Sequence, residues 1–91
     1  MNIKKLNWKD NVTKLGKEIG IFELISKVQH LSLYYMITNR KYYGDEINTN
    51  NKFFMCETRS NTNIECDSVE ECKIKAQEHF EKMVLETFFE D

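Results

Sequence analysis

The sequence contains no proline, only three glycines and three cysteines among its 91 residues. Because neither proline nor glycine interrupts the run from Val69 to Phe89, that run is able to form one continuous helix. No apolar run approaches the roughly 20 residues that span a bilayer, and no apolar signal-peptide segment follows Met1. An odd cysteine count without a secretory leader argues against a disulfide framework. Together these absences predict a soluble, intracellular protein.

The motifs of common catalytic and metal sites are also missing. Zinc ligands usually come in closely spaced pairs, whereas Cys56, Cys66 and Cys72 are separated by nine and five residues. His79 follows Cys72 by two helical turns, roughly 10 Å, so only Cys66 and Cys72 could converge. The chain has no Gly-rich phosphate loop, G-x-S-x-G or H-E-x-x-H motif. We therefore expect no metal, no cofactor and no enzymatic activity.

The charges are unevenly distributed along the chain. Residues 1–45 carry eight Lys or Arg against four Asp or Glu, whereas residues 46–91 carry five against eleven. The overall net charge of −2 provides no electrostatic footprint for nucleic acid. The acidic half is typical of a solvated helix face, or of a surface that binds a partner.

The C-terminal segment has the clearest pattern. Ser68 and Glu71 form an S-x-x-E capping box, which predicts a helix that begins at about residue 68 and ends at about 89. One apolar stripe at spacings of three and four consists of Val69, Cys72, Ala76, Phe80, Met83 and Thr87, widened by Val84 and Phe88. Polar residues such as Glu70, Lys73, Gln77 and Glu81 occupy the solvent side.

The region before this helix predicts strands. Alternation from Leu31 to Thr38 indicates a half-buried strand with Tyr35 facing inwards and Tyr34 outwards. Further strands are predicted over Gly20–Ser26, Lys52–Thr58 and, as a short edge strand, Asn63–Cys66. Loop-forming residues fill Asn39–Asn51, and Arg59–Thr62 reads as a turn.

The N-terminal segment permits two interpretations. Alternation of Leu6 and Trp8 favours a short strand, a turn at Asp10-Asn11 and a hairpin. Helical spacing of Trp8, Val12, Leu15 and Ile19 is the alternative, although Gly16 and Gly20 weaken a helix by roughly 1 kcal/mol each relative to alanine.

These elements predict one α+β domain over residues 1–91. It contains a mainly antiparallel sheet of four or five strands, with strands within residues 5–66, and the C-terminal helix packs across one face. The predicted core consists of Phe22, Leu24, Leu33, Tyr35, Ile37, Phe54, Cys56, Ala76, Phe80 and Met83.

Two groups of residues are candidates for binding a partner. Aromatic rings beside cations are typical of protein hot spots and of base-stacking sites, and this combination occurs at Tyr34, Arg40, Lys41, Tyr42 and Tyr43. The acidic helix supplies the second group, Glu78, Glu81 and Phe89.

Several of these segments together resemble a pattern in small phage- and prophage-encoded proteins. The resemblance rests on four segments: Leu6-x-Trp8, Ile19-Gly20-x-Phe22-x-Leu24, the strand Leu33–Ile37, and the helix motif S-x-E-E-C-K-x-x-A-Q-x-H-F-E beginning at Ser68. In this pattern Cys72 stands where alanine is usual, and Phe22 where tyrosine is usual. The resemblance spans most of the chain and implies a small antiparallel sheet with a C-terminal helix across it. Most members of that group have no assigned activity.

The resemblance, the small size and the acidic helix predict a non-enzymatic phage accessory protein in the bacterial cytoplasm. It would block a bacterial defence protein by direct binding, and a homodimer is one possible state. The first alternative is an oligomeric sponge that sequesters a nucleotide immune signal, with the tyrosines stacking a base and Arg40 and Lys41 pairing a phosphate. The second is a module like a double-stranded-RNA-binding domain, although Glu70 and Glu71 would repel a phosphate backbone.

Overall fold

The computed structural model describes residues 3–40 and 52–88, except for the side chains of His30, Thr87 and Phe88. The described residues form five strands, two α-helices and a 3₁₀ turn. In chain order they are β1 (Lys9–Asp10), α1 (Lys14–Glu18), β2 (Glu23–Val28), the 3₁₀ turn (Gln29–Leu31), β3 (Leu33–Thr38), β4 (Phe53–Glu57), β5 (Thr62–Cys66) and α2 (Val69–Phe88). None of these helices is long and apolar enough to cross a membrane.

The strands form one antiparallel sheet in the order β1-β2-β3-β4-β5, and α2 packs against β3, β4 and β5. The predicted α+β architecture is therefore confirmed, with five strands and β5 at an edge. Strand order follows chain order because each strand pairs with its neighbour in sequence.

The core lies between α2 and one face of the sheet, which we call the helix face. Its central row, from β2 to β5, is Leu24, Ile37, Met55 and Ile64, paired in register. Helix α2 contributes four buried residues to this core: Cys72, Ala76, Phe80 and Val84. These four positions recur every four residues, so one stripe of α2 supplies the contact.

The predicted strand phase is wrong for β4. Met55 and Glu57 lie on the helix face, whereas Phe54 and Cys56 lie on the opposite face, which we call the open face. Phe54 is nevertheless buried, but Cys56 is only half-buried and does not belong to the core. The phase was misassigned because a carboxylate, Glu57, occupies a core-facing position.

The other predicted core residues are buried or pack against the core. Leu33, Tyr35, Ile37, Ala76 and Phe80 are buried. The remaining three, Phe22, Leu24 and Met83, are partly buried and pack against the core.

The N-terminal segment combines both interpretations and corrects each of them. The strand is Lys9–Asp10, where the hairpin turn was expected, and the helix is confined to Lys14–Glu18. Thr13 caps this helix by accepting a hydrogen bond from the Gly16 N–H at 3.0 Å. A Cβ on Gly16 would lie 2.8 Å from Val12 Cγ1, so a larger residue there would force the Val12 side chain to shift.

Residue 20 ends this segment in the left-handed region, since Gly20 has a φ of 87°. The following strand consequently begins at Glu23 rather than at Gly20.

Candidate functional site

A polar network crosses the boundary between α2 and the β4–β5 turn. His79 on α2 has its Nδ1 atom 2.7 Å from the Tyr35 hydroxyl and its Nε2 atom 3.1 Å from Ser60 Oγ. Ser60 Oγ also lies 2.6 Å from Thr62 Oγ1 and 2.8 Å from Glu57 Oε1. The network therefore connects the strands β3, β4 and β5 and the β4–β5 turn to the middle of α2.

Glu57 anchors the network in spite of being only 1% exposed. Its carboxylate accepts hydrogen bonds from the backbone N–H groups of Tyr34, Arg59 and Ser60 and from the Ser60 hydroxyl. Burial by itself would raise the pKa of Glu57, but these hydrogen bonds outweigh burial and lower the pKa below its ordinary value. The carboxylate is therefore ionised at neutral pH.

An ionised Glu57 fixes the direction of the other hydrogen bonds. Because the carboxylate accepts only, Ser60 donates its hydroxyl proton to Glu57 and accepts from His79 Nε2–H. In the neutral imidazole with its proton on Nε2, Nδ1 accepts from the Tyr35 hydroxyl. Burial, with the charge of Glu57, raises the pKa of Tyr35 and keeps that proton in place.

The hydrogen-bond directions at Ser60 and His79 differ from those that a nucleophilic serine needs. A serine nucleophile must donate its proton to the histidine, as in Ser-His-Asp enzymes. Ser60 instead donates to Glu57, and His79 acts as a donor towards Ser60. Through these hydrogen bonds the arrangement joins β3, β4, the β4–β5 turn and α2.

Two of the three cysteines lie together under the start of α2. Cys66 ends β5 and Cys72 lies in the first turns of α2, and both are buried. Burial raises the pKa of the Cys72 thiol, and a hydrogen bond with Cys66 raises it further. A protonated, buried thiol is a poor nucleophile. Among residues 3–40 and 52–88, no three His, Cys, Asp or Glu side chains converge as metal ligands would.

Two of the predicted binding residues, Tyr34 and Arg40, lie at the open face of the sheet. Tyr34 is half-buried, and the ammonium of Lys27 lies 5.6 Å from its ring centroid. Burial and the charge of Glu23 raise the pKa of Tyr34. Arg40 Nη2 lies 3.8 Å from Glu23 Oε1, and Asn11 donates to Glu23 Oε2 at 2.6 Å. The guanidinium therefore faces a carboxylate of its own chain.

A pocket of about 180 Å³ opens beside this pair. Its lining includes Met36, Thr38, Arg40 and Cys56, together with the carboxyl-bearing residues Glu23 and Glu57. Pockets that hold drug-sized ligands usually measure about 300–1,000 Å³. Its small size and the carboxyl group of Glu23 are unfavourable for a nucleotide phosphate.

The solvent-facing side of α2 has a different composition. Ile74, Glu78, Glu81 and Leu85 recur at spacings of four, three and four, so they share one side of the helix. We call these four residues the outer strip. Ile74 is 58% exposed and Leu85 is 48% exposed, Glu78 is exposed and Glu81 is half-buried.

The structure thus separates the predicted binding residues. Tyr34 and Arg40 lie at the open face, and Glu78 and Glu81 lie beyond the helix that covers the other face. Lys41, Tyr42, Tyr43 and Phe89 lie outside the described residues.

Sequence reasoning missed Ile74 and Leu85, although their position off the apolar stripe of α2 was a signal. It also missed the network at His79. The only hint of that network was that His79 is polar although it directly precedes Phe80, a residue of the apolar stripe.

No family model matches the chain, and neither a curated protein nor a solved structure is significantly similar to it.

Proposed function

We propose that the chain is a non-enzymatic phage accessory protein that inhibits a bacterial anti-phage defence protein by binding it directly. The outer strip of α2 is the binding surface in this proposal. The phage context rests on the sequence resemblance, and the mode of action rests on the exposed surface. The site of action is the cytoplasm of an infected or lysogenic bacterium.

One observation carries the binding mode: two large apolar side chains are exposed on a helix whose opposite side is fully packed. Ile74 and Leu85 stand in solvent while Cys72 and Ala76 are completely buried. Both side chains lie on one side of α2, and apolar surface that folding leaves exposed and that polar residues surround is typical of protein interfaces.

The chemistry of the outer strip defines the partner. An amphipathic helix docks into a groove through apolar anchors at positions such as i, i+4, i+7 and i+11. Here the two apolar anchors flank Glu78 and Glu81. The matching surface is a groove with an apolar floor and Lys or Arg at its rim.

The alternative proposal, a sponge for a nucleotide signal, depends mainly on Lys41, Tyr42 and Tyr43, which lie outside the described residues. Its described members are less favourable, because Arg40 faces Glu23 and the adjoining pocket is small. An RNA-binding module is disfavoured by Glu70 and Glu71 in the first turn of α2. No cofactor belongs to any of these proposals.

Phage plating tests the proposal. The chain is expressed in a panel of bacterial strains, each carrying one defence system, and plating of a sensitive phage is measured. We expect plating to rise in a strain whose defence is blocked, and to be unchanged in the matched strain without that system. Glu78→Lys/Glu81→Lys should abolish this rescue, because it reverses the charge that meets the basic rim.

Glu65→Lys is the control: it makes the glutamate-to-lysine change once, at an exposed position on β5, where the test variant makes it twice on α2. Rescue that survives Glu78→Lys/Glu81→Lys would place the contact elsewhere. Absence of rescue throughout a broad panel would contradict the proposal.

A further inference from the structure

The exposed large apolar side chains of the described residues fall into two pairs on two helices. Leu15 and Ile19, at α1, are 68% and 60% exposed, and we call them the α1 patch. The other pair is Ile74 and Leu85 of the outer strip. Both pairs are exposed at once, so neither covers the other within one molecule.

The charges around the two pairs have opposite signs. Residues 9–19 carry three lysines against Asp10 and Glu18, a net charge of +1. Helix α2, Val69–Phe88, carries five glutamates against three lysines, a net charge of −2. Lys14 is exposed and begins α1, with Glu18 one turn further along, whereas Lys17 is bridged to Asp10 at 3.0 Å.

From this complementarity we infer that the α1 patch of one copy docks on the outer strip of a second copy. Each contact joins the apolar pair of a segment with a net positive charge to the apolar pair of a helix with a net negative charge. Two outer strips facing each other would instead bring Glu78 and Glu81 against the same charges. The contact is therefore heterologous, and it links copies head to tail.

Geometry makes the association weak. Leu15 and Ile19 are one helical turn apart, about 6 Å, whereas Ile74 and Leu85 are separated by about 16 Å along α2. One α1 patch covers only part of an outer strip, and small interfaces are typical of transient contacts. The association is a property of the purified chain and does not rest on the proposed function.

Sedimentation velocity of the purified chain, at concentrations up to about 1 mM, tests the inference. We expect the average mass to rise with concentration and the association to weaken severalfold as salt is raised. Lys14→Glu should weaken association severalfold, and Glu18→Lys should strengthen it severalfold. Glu65→Lys repeats the second charge change away from both surfaces and should leave association unchanged.

A mixing experiment tests the head-to-tail geometry. Leu15→Ser/Ile19→Ser lacks the α1 patch and Ile74→Ser/Leu85→Ser lacks the apolar part of the outer strip, so each should be monomeric alone. Mixed, they should form a one-to-one dimer, because one supplies an intact strip and the other an intact patch. Circular dichroism checks that both variants are folded.

A wild-type chain that is monomeric at about 1 mM would overturn the inference, as would a mixture that stays monomeric while the wild type associates. Failure here is separable from failure of the proposed function. Rescue of phage plating requires the outer strip alone, so it should survive Leu15→Ser/Ile19→Ser.

Discussion

The inner and outer sides of α2 share one backbone, but they differ in composition and contact different surroundings. On the inner side, Cys72, Ala76 and Phe80 pack against the sheet. On the outer side, Ile74 and Leu85 face solvent. The inner residues are buried when the chain folds, whereas Ile74 and Leu85 stay exposed and accessible to a partner. In the proposed function, α2 would serve stability with its inner side and recognition with its outer side.

The largest expected effect concerns the inner side. Phe80→Ala should lower the free energy of unfolding by about 3–5 kcal/mol, because it leaves a cavity between α2 and the sheet. Leu85→Ala on the outer side should change it by less than about 0.5 kcal/mol. Urea denaturation monitored by circular dichroism measures both. Similar losses for the two variants would remove the distinction between the sides.

The polar network should produce the next largest effect. Glu57→Ala leaves the N–H groups of Tyr34, Arg59 and Ser60 without their acceptor and should cost about 1–3 kcal/mol. Urea denaturation at pH 7 measures the loss, with Glu65→Ala as an exposed control. Equal, small changes in the two variants would show that the network does not stabilise the fold.

Glu57 also predicts a pH dependence. Its folded-state pKa is lowered, so its contribution to stability is complete above the ordinary value of 4.5 and is lost as the pH falls through the folded-state pKa. Denaturation of the wild type should therefore become easier in that range, and Glu57→Gln should show a flatter dependence. Identical pH profiles for the two proteins would contradict an ionised Glu57.

The start of α2 and the polar network at His79 were not equally predictable from the sequence. Capping at the start of α2 is local, and the structure confirms that Ser68 Oγ accepts from the Glu71 N–H at 3.1 Å. Alternation likewise identified β3. The network joins residues from Tyr35 to His79, 44 positions apart, and no local pattern indicates such a contact. Glu57 misled the prediction of β4, because its burial depends on donors that only the folded turn supplies.

The Tyr35 hydroxyl provides a smaller test within the network. Tyr35→Phe removes the donor to His79 Nδ1 and should cost about 1 kcal/mol. Tyr34→Phe, on the open face, is the neighbouring control and should change the free energy of unfolding by less than about 0.5 kcal/mol. If Tyr34→Phe cost more than Tyr35→Phe, the assigned role of the His79 bond would be wrong.

The smallest effect on stability is expected for the outer strip. Ile74→Ser/Leu85→Ser should leave the urea midpoint within experimental error of the wild type, since neither side chain packs into the core. A large loss of stability would mean that the strip supports the fold.

Native mass spectrometry of that same variant tests directly whether the outer strip binds the defence protein. Wild type and Ile74→Ser/Leu85→Ser are compared before and after incubation with extract of the strain in which the chain protects phage. We expect the wild type to gain the mass of that strain's defence protein and the equally stable variant not to gain it. Retention of the defence protein by the variant, or a gain of only a few hundred daltons by both proteins, would contradict it.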